Sequence, residues 1–205
     1  MSLRRLGVAS VFAALVSSAL PACTATANVS DVWTSIDEDG SRRRNLFFTD
    51  TSRITCVAEV GVGRKDVTVE LRIRQIRRAQ PGTRDFQEVN AVLLDKDFHP
   101  GVTADGPATV ALSMLPTSIG TEGKVQEDDE APFVAGSYVC EVLLDGKQEG
   151  KSAFNIDYAP CPATVIQTGT ACVGFYPLAQ TCPLNGATGQ PEPTCKCEQN
   201  GWTCP

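Results

Sequence analysis

Between residues 32 and 156, apolar and polar positions alternate with period two. The central run is 136–147, where Tyr138, Cys140, Val142 and Leu144 share one face and Ser137, Val139, Glu141 and Leu143 the other. This is the spacing of a strand with one buried side. Asp145-Gly146 then marks a two-residue hairpin, and 151–156 returns as a strand with Phe154 and Ile156 on one face. Upstream, Ile54, Cys56, Ala58 and Val60 share a face, and Val67, Val69, Leu71 and Ile73 alternate with Thr68, Glu70, Arg72 and Arg74. Segments 32–36, 86–94 and 109–115 are also strand-like, giving seven or eight strands and no helical period. Residues 95–107 and 116–132, rich in Gly, Pro and acids, read as long loops, which in a compact domain are functional or unstructured.

The pattern predicts an all-β protein whose strands pair antiparallel into a sandwich. Tyr138 two residues before Cys140, late in a β-rich domain, resembles the tyrosine corner and second core cysteine of an immunoglobulin-like sandwich. The resemblance implies a Cys56–Cys140 bond, in keeping with the inward parity both residues share. Leu71 stands where an antibody domain carries its core Trp, so the likeness is to the broad bacterial immunoglobulin-like class. The series Ala135-Gly136-Ser137-Tyr138, Leu144-Asp145-Gly146-Lys147 and Ala153-Phe154-Asn155-Ile156 looks like the closing hairpin of many bacterial surface domains of that class.

The ends of the chain have a different composition. Arg4-Arg5 and the apolar run 6–20 read as a secretory signal peptide, residues 1–22. Leu20-Pro21-Ala22-Cys23 resembles a bacterial lipobox, with Pro21 departing from the usual small residue. The resemblance implies lipidation of Cys23 and a membrane-anchored lipoprotein of the cell envelope. Ala25-Thr26-Ala27 offers the competing cut of a secreted product. Residues 23–31, small and polar, read as a tether to a sandwich over 32–158. Of nine cysteines, Cys23 is accounted for by the anchor, leaving an even set: Cys56, Cys140, Cys161, Cys172, Cys182, Cys195, Cys197 and Cys204. An exported chain meets an oxidising compartment in which these form disulfides.

Six of the eight lie in 161–205, a segment too poor in large apolar residues to fold without cross-links. Its frame, ending in Cys195-Lys196-Cys197 and Trp202-Thr203-Cys204, resembles a small C-terminal module of predicted lipoproteins from gliding soil bacteria, a module to which the resemblance attaches no activity. Spacing leaves fifteen pairings open for six cysteines. Cys195 and Cys197 are too close to bond each other easily, so each is expected to reach a different partner among Cys161, Cys172, Cys182 and Cys204, with Trp202 packed over the cluster. Zinc is disfavoured because the tight pair is C-x-C and His99, the only histidine, lies in the other domain.

Removing 1–22 takes Arg4 and Arg5 away and shifts the net charge from −6 to −8, which argues against nucleic acid as a partner. Arg42-Arg43-Arg44 beside Asp37-Glu38-Asp39-Gly40 reads as a locally paired surface, and Glu127-Asp128-Asp129-Glu130 as a solvated acidic loop. No nucleophile motif accompanies His99. The expectation is a non-enzymatic envelope lipoprotein without cofactor or metal. Its role is structural or partner-binding, toward an envelope or extracellular protein or glycan. The alternative is a secreted inhibitor or toxin-like module acting through the tail, with residues 183–194 as the inserted loop.

Overall fold

Residues 27–80, 83–103, 106–119, 125–128, 131–185 and 193–205 are described by the computed structural model. Its strands before the tail are β1 (Asn28–Ser35), β2 (Leu46–Phe48), β3 (Ile54–Gly61), β4 (Val69–Ala79), β5 (Phe86–Phe98), β6 (Ala108–Met114), β7 (Thr117–Ile119), β8 (Val125–Glu127), β9 (Gly136–Leu144) and β10 (Lys147–Asp157), of which β7 and β8 pair apart from the sandwich. A three-stranded sheet of order β1-β3-β6 faces a five-stranded sheet of order β2-β10-β9-β4-β5. All pairs are antiparallel except β2 with β10.

The alternation decides what lies between the sheets. Ile54, Cys56, Ala58 and Val60 of β3 meet Val69, Leu71 and Ile73 of β4 and Tyr138, Cys140, Val142 and Leu144 of β9 in one buried cluster. Phe154 stacks on Tyr138 at 5.2 Å and receives the edge of Phe47 at 5.6 Å. Cys56 on β3 is bonded to Cys140 on β9 across the core, Cα to Cα 5.7 Å. Tyr138 Oη donates to Val134 O at 2.6 Å, a tyrosine corner. This sheet order, the cross-sheet disulfide and the corner together define an immunoglobulin-like sandwich. The β9–β10 hairpin turns on Asp145 and Gly146, both at positive φ (50° and 81°), which the right-handed twist of the flanking strands favours.

Three expectations need correction. The tether reading of 28–31 fails because β1 begins at Asn28. Its register slips between Val29 and Asp31, so Val29 and Val32 both pack on the core at a spacing of three, which hides the strand from a period-two reading. Residues 95–98 are strand as well, the end of a β5 that pairs only with β4. An edge strand is wet on much of its surface, and its alternation is correspondingly blurred. The expected loop at 116–132 holds the β7–β8 hairpin, with Thr117 opposite Glu127.

The tail folds on its disulfides. β11 (Thr181–Pro183), β12 (Thr194–Glu198) and β13 (Gly201–Thr203) form a three-stranded sheet. Cys161 is bonded to Cys182, Cys172 to Cys197 and Cys195 to Cys204. Cys195 and Cys197 thus reach different parts of the tail, and buried Trp202 packs with Ile166 and the cysteines, its ring 5.1 Å from Tyr176. The tail is joined to the sandwich by hydrogen bonds. Thr49 Oγ1 donates to Phe175 O (2.7 Å) and accepts from Ala159 N (2.9 Å), and Arg84 Nη2 donates to Gln180 Oε1 (2.6 Å).

Candidate functional site

The five-stranded sheet overhangs the three-stranded one, and on the flank where β5 and β6 are the edges the sandwich stays open. A cleft of about 460 Å3 lies there, within the roughly 300–1,000 Å3 of small-molecule sites. Leu93 and Leu94 of β5, Met114 at the end of β6 and Leu115 after it, and Phe133 and Val134 before β9 supply its apolar walls.

Two backbone irregularities build this site. The β4–β5 register passes from Ile73↔Leu94 to Arg74↔Val92, so the bulged Leu93 joins Leu94 at the cleft and remains 47% exposed. On β4 the register with β9 passes from Gln75↔Tyr138 to Arg77↔Ser137 and skips Ile76. Gln75 and Arg78, three residues apart, therefore both line the cleft, as bulges commonly re-aim side chains. Gly136 is required opposite this bulge, since a Cβ there would sit 2.1 Å from Arg77 O.

The polar groups of the cleft are of two kinds. Tyr138 is saturated: its hydroxyl donates to Val134 O and accepts from Gln75 Nε2 at 2.7 Å. Burial raises its pKa far above that of a free phenol, so it stays neutral with its proton committed. Ser113 Oγ shares a hydrogen bond with Thr55 Oγ1 at 3.0 Å. Gln75 is 5% exposed, and with its nitrogen held by Tyr138 its side-chain oxygen has no partner among the described residues. A buried acceptor left unmade costs about 1–3 kcal/mol. Arg78 is exposed at the mouth. With the Gln87 amide oriented oxygen-first, Arg78 donates to it from Nε (2.6 Å) and Nη2 (2.9 Å), but among the described residues it pairs with no carboxylate. Glu127, also exposed, is the one acid among the described lining residues.

The sequence-predicted residues lie elsewhere. Cys23 and the signal segment fall outside the described residues, as do Asp129 and Glu130 of the acidic loop. Among the described residues no three His, Cys, Asp or Glu are grouped to hold a metal ion. His99 is exposed and does not line the cleft. The arginine run is paired locally, Arg42 with Asp37 at 2.8 Å and Arg43 with Asp31 at 2.6 Å, and Arg43 also lies 3.9 Å over the Trp33 ring. Of the expected tail loop, Pro183 and Thr194 pair at its base, and 186–192 lie outside the described residues. Sequence reading missed Gln75 and Arg78. The signal present was a polar residue in the inward series Val69, Leu71, Ile73, Gln75.

No protein-family model and no curated protein matches the chain. Among solved structures it is similar to an immunoglobulin-like protein from Pseudomonas aeruginosa, at 11% identity and a TM-score of 0.39 over 65% of this chain and 98% of that one. It is also similar to the Pseudomonas fluorescens alkylpurine DNA glycosylase AlkC bound to DNA containing an abasic site analog, at 11% identity and a TM-score of 0.40 over 64% of this chain. A third is a β-glucosidase from Listeria innocua in complex with isofagomine, at 5% identity and a TM-score of 0.35, again over 64% of this chain. This chain spans only 30% of the glycosylase and 16% of the glucosidase. Likeness at this level assigns neither enzyme's chemistry to it.

Proposed function

We propose that the protein is a non-enzymatic, exported binding protein of the cell envelope, held at a membrane surface by a lipid on Cys23 and taking a ligand in the cleft beside β5 and β6. The cleft carries the reading: apolar walls, and inward polar groups left to be completed from outside. Its hydroxyls favour binding over catalysis, since Tyr138 and Ser113 are both hydrogen-bonded to neighbours that are not bases, and an activated nucleophile needs a base within reach. Export is supported by four disulfides in one chain, which persist in oxidising compartments.

Two measurements test it. The mature chain should carry a diacylglyceryl mass on Cys23 and enter the detergent phase; a soluble product beginning at Asn28 would defeat the anchor. The apolar dye anilinonaphthalene sulfonate should bind at one site per chain and lose that site in Leu94→Trp, with the fold retained by circular dichroism. Undiminished binding in that variant would defeat the cleft.

A second reading, a secreted inhibitor acting through the tail, is favoured by one observation. Cys182 and Cys195 face each other at the β11–β12 base and each is bridged to another part of the tail. Assay of the exported chain against a panel of extracellular proteases tests it, and inhibition of none refutes it.

A further inference from the structure

Resting on the cleft as a ligand site, we infer that its ligand is an aliphatic carboxylate bearing a hydroxyl near the carboxyl end. Each part of that description comes from one feature of the cleft. The aliphatic body is set by Leu93, Leu94, Met114, Leu115, Phe133 and Val134, which line the cleft.

The carboxylate is set by Arg78. Had β4 kept a regular pleat, Gln75 and Arg78 would point to opposite faces, because side chains alternate strictly along a strand. The bulge at Ile76 brings the guanidinium to the cleft mouth, where among the described residues it meets the neutral Gln87 amide and no carboxylate. Its neighbour Arg77, by contrast, lies 3.6 Å from Glu88. An arginine with no acid partner among the described residues, beside apolar walls, suits a carboxylate, which arginine binds bidentately. Glu127 opposes this, but it stands exposed in water on the hairpin, where solvent and salt screen its repulsion.

The hydroxyl is set by Gln75. Its nitrogen is fixed by Tyr138, which has already given its own proton to Val134. Among the described residues the group left without a partner is the carbonyl oxygen, an acceptor, and it calls for a donor on the ligand. A carboxylate cannot supply one, whereas a hydroxyl can. Arg78 and Gln75 stand three residues apart on β4, a backbone rise of at most roughly 10 Å, and the long arginine side chain can close much of it, so the hydroxyl belongs toward the carboxyl end of the ligand.

The test displaces the bound dye from the full mature chain, made soluble by Cys23→Ser, with dodecanol, dodecanoate and 3-hydroxydodecanoate. Dodecanoate should act at about a tenfold lower concentration than dodecanol, the worth of one charge-assisted contact. The hydroxy acid should act several-fold lower again. Arg78→Gln, an exposed change, should erase the difference between acid and alcohol. Gln75→Leu should erase only the benefit of the hydroxyl, and Glu127→Gln should strengthen both acids. If the alcohol and the acids displace the dye equally, or Arg78→Gln leaves the preference intact, the ligand class is wrong although the cleft still binds. Equal displacement by the two acids removes the hydroxyl from the proposal. Failure of the dye to bind at all defeats the binding reading itself.

Discussion

Among the described residues, twenty buried ones form the core of the sandwich, and two of them are cysteines; in the tail, four of the six buried cluster residues are cysteines. The sandwich is thus a hydrophobic fold with one cross-link, whereas the tail has almost no interior apart from its cross-links. Apolar burial stabilises by roughly 25 cal/mol per Å2 and needs area to do so, and the tail lacks that area. Its three bridges act on the unfolded chain instead, closing sequence separations of 21, 25 and 9 residues, worth about 3 kcal/mol each in the chain-entropy model.

Reduction separates the two regions most sharply. Thiol reductant should abolish the near-UV signal of Trp202, read in a Trp33→Phe background, while the far-UV strand signal of the sandwich persists. Simultaneous loss of both would mean that the regions fold as one unit. The converse change is smaller in consequence although the bond closes the longest loop. Replacing Cys56 and Cys140 by Ala removes a bridge of sequence separation 84 and should cost about 4–5 kcal/mol. That is a large part of the ~5–15 kcal/mol stability of a domain, and denaturant titration should still show a cooperative transition.

The junction is the next place to press. Thr49 is fully buried and bonds with its backbone to Asp157 O and from Phe133 N, and with its hydroxyl to Phe175 O and from Ala159 N. Thr49→Val keeps the shape and deletes the hydroxyl, which should cost about 1–2 kcal/mol. Amide exchange should rise at Ala159 and Tyr176 and stay unchanged at Val57. Equal protection throughout would show that the hydroxyl does not hold the tail in place.

Legibility followed regularity. The strands around Cys56, Leu71 and Cys140 could be read because one face of each is buried and the pleat is unbroken, and the Asp145-Gly146 turn because two positive φ values restrict the residues that fit. What escaped was irregular. The bulge in β1 put Val29 and Val32 on one face and disguised strand as tether. The slips around Leu93 and Ile76 assembled the cleft from residues of opposite parity, which no fixed period can bring together. The cysteines of the tail could be counted but not paired, since pairing depends on chain path, and in the fold it is β12 that carries two of them back toward Cys172 and Cys204.

The smallest expected effect tests the same contrast by pH. In the sandwich the turn after β1 is held by charge. The Asp37 carboxylate accepts from Ser35 Oγ, Ser41 Oγ (2.9 Å) and Arg42 Nε (2.8 Å). The hydrogen bond from Ser35 first, and those from Arg42 next, hold its pKa well below the usual carboxylate range. A carboxyl whose folded pKa is depressed contributes stability above its unfolded value, about 3.9, and loses it as pH falls toward the folded value. The turn should therefore be indifferent to pH from neutrality to about 4 and loosen below that. The reporter is built in: Trp33 Nε1 donates to Gly40 O in this turn at 2.8 Å, so its fluorescence should shift in the acid range. Asp37→Asn should remove that acid transition and leave the turn weaker at neutral pH. The tail, closed by bonds that do not titrate, should show no matching step in the signal of Trp202. A single transition shared by both tryptophans would place the acid-sensitive group elsewhere.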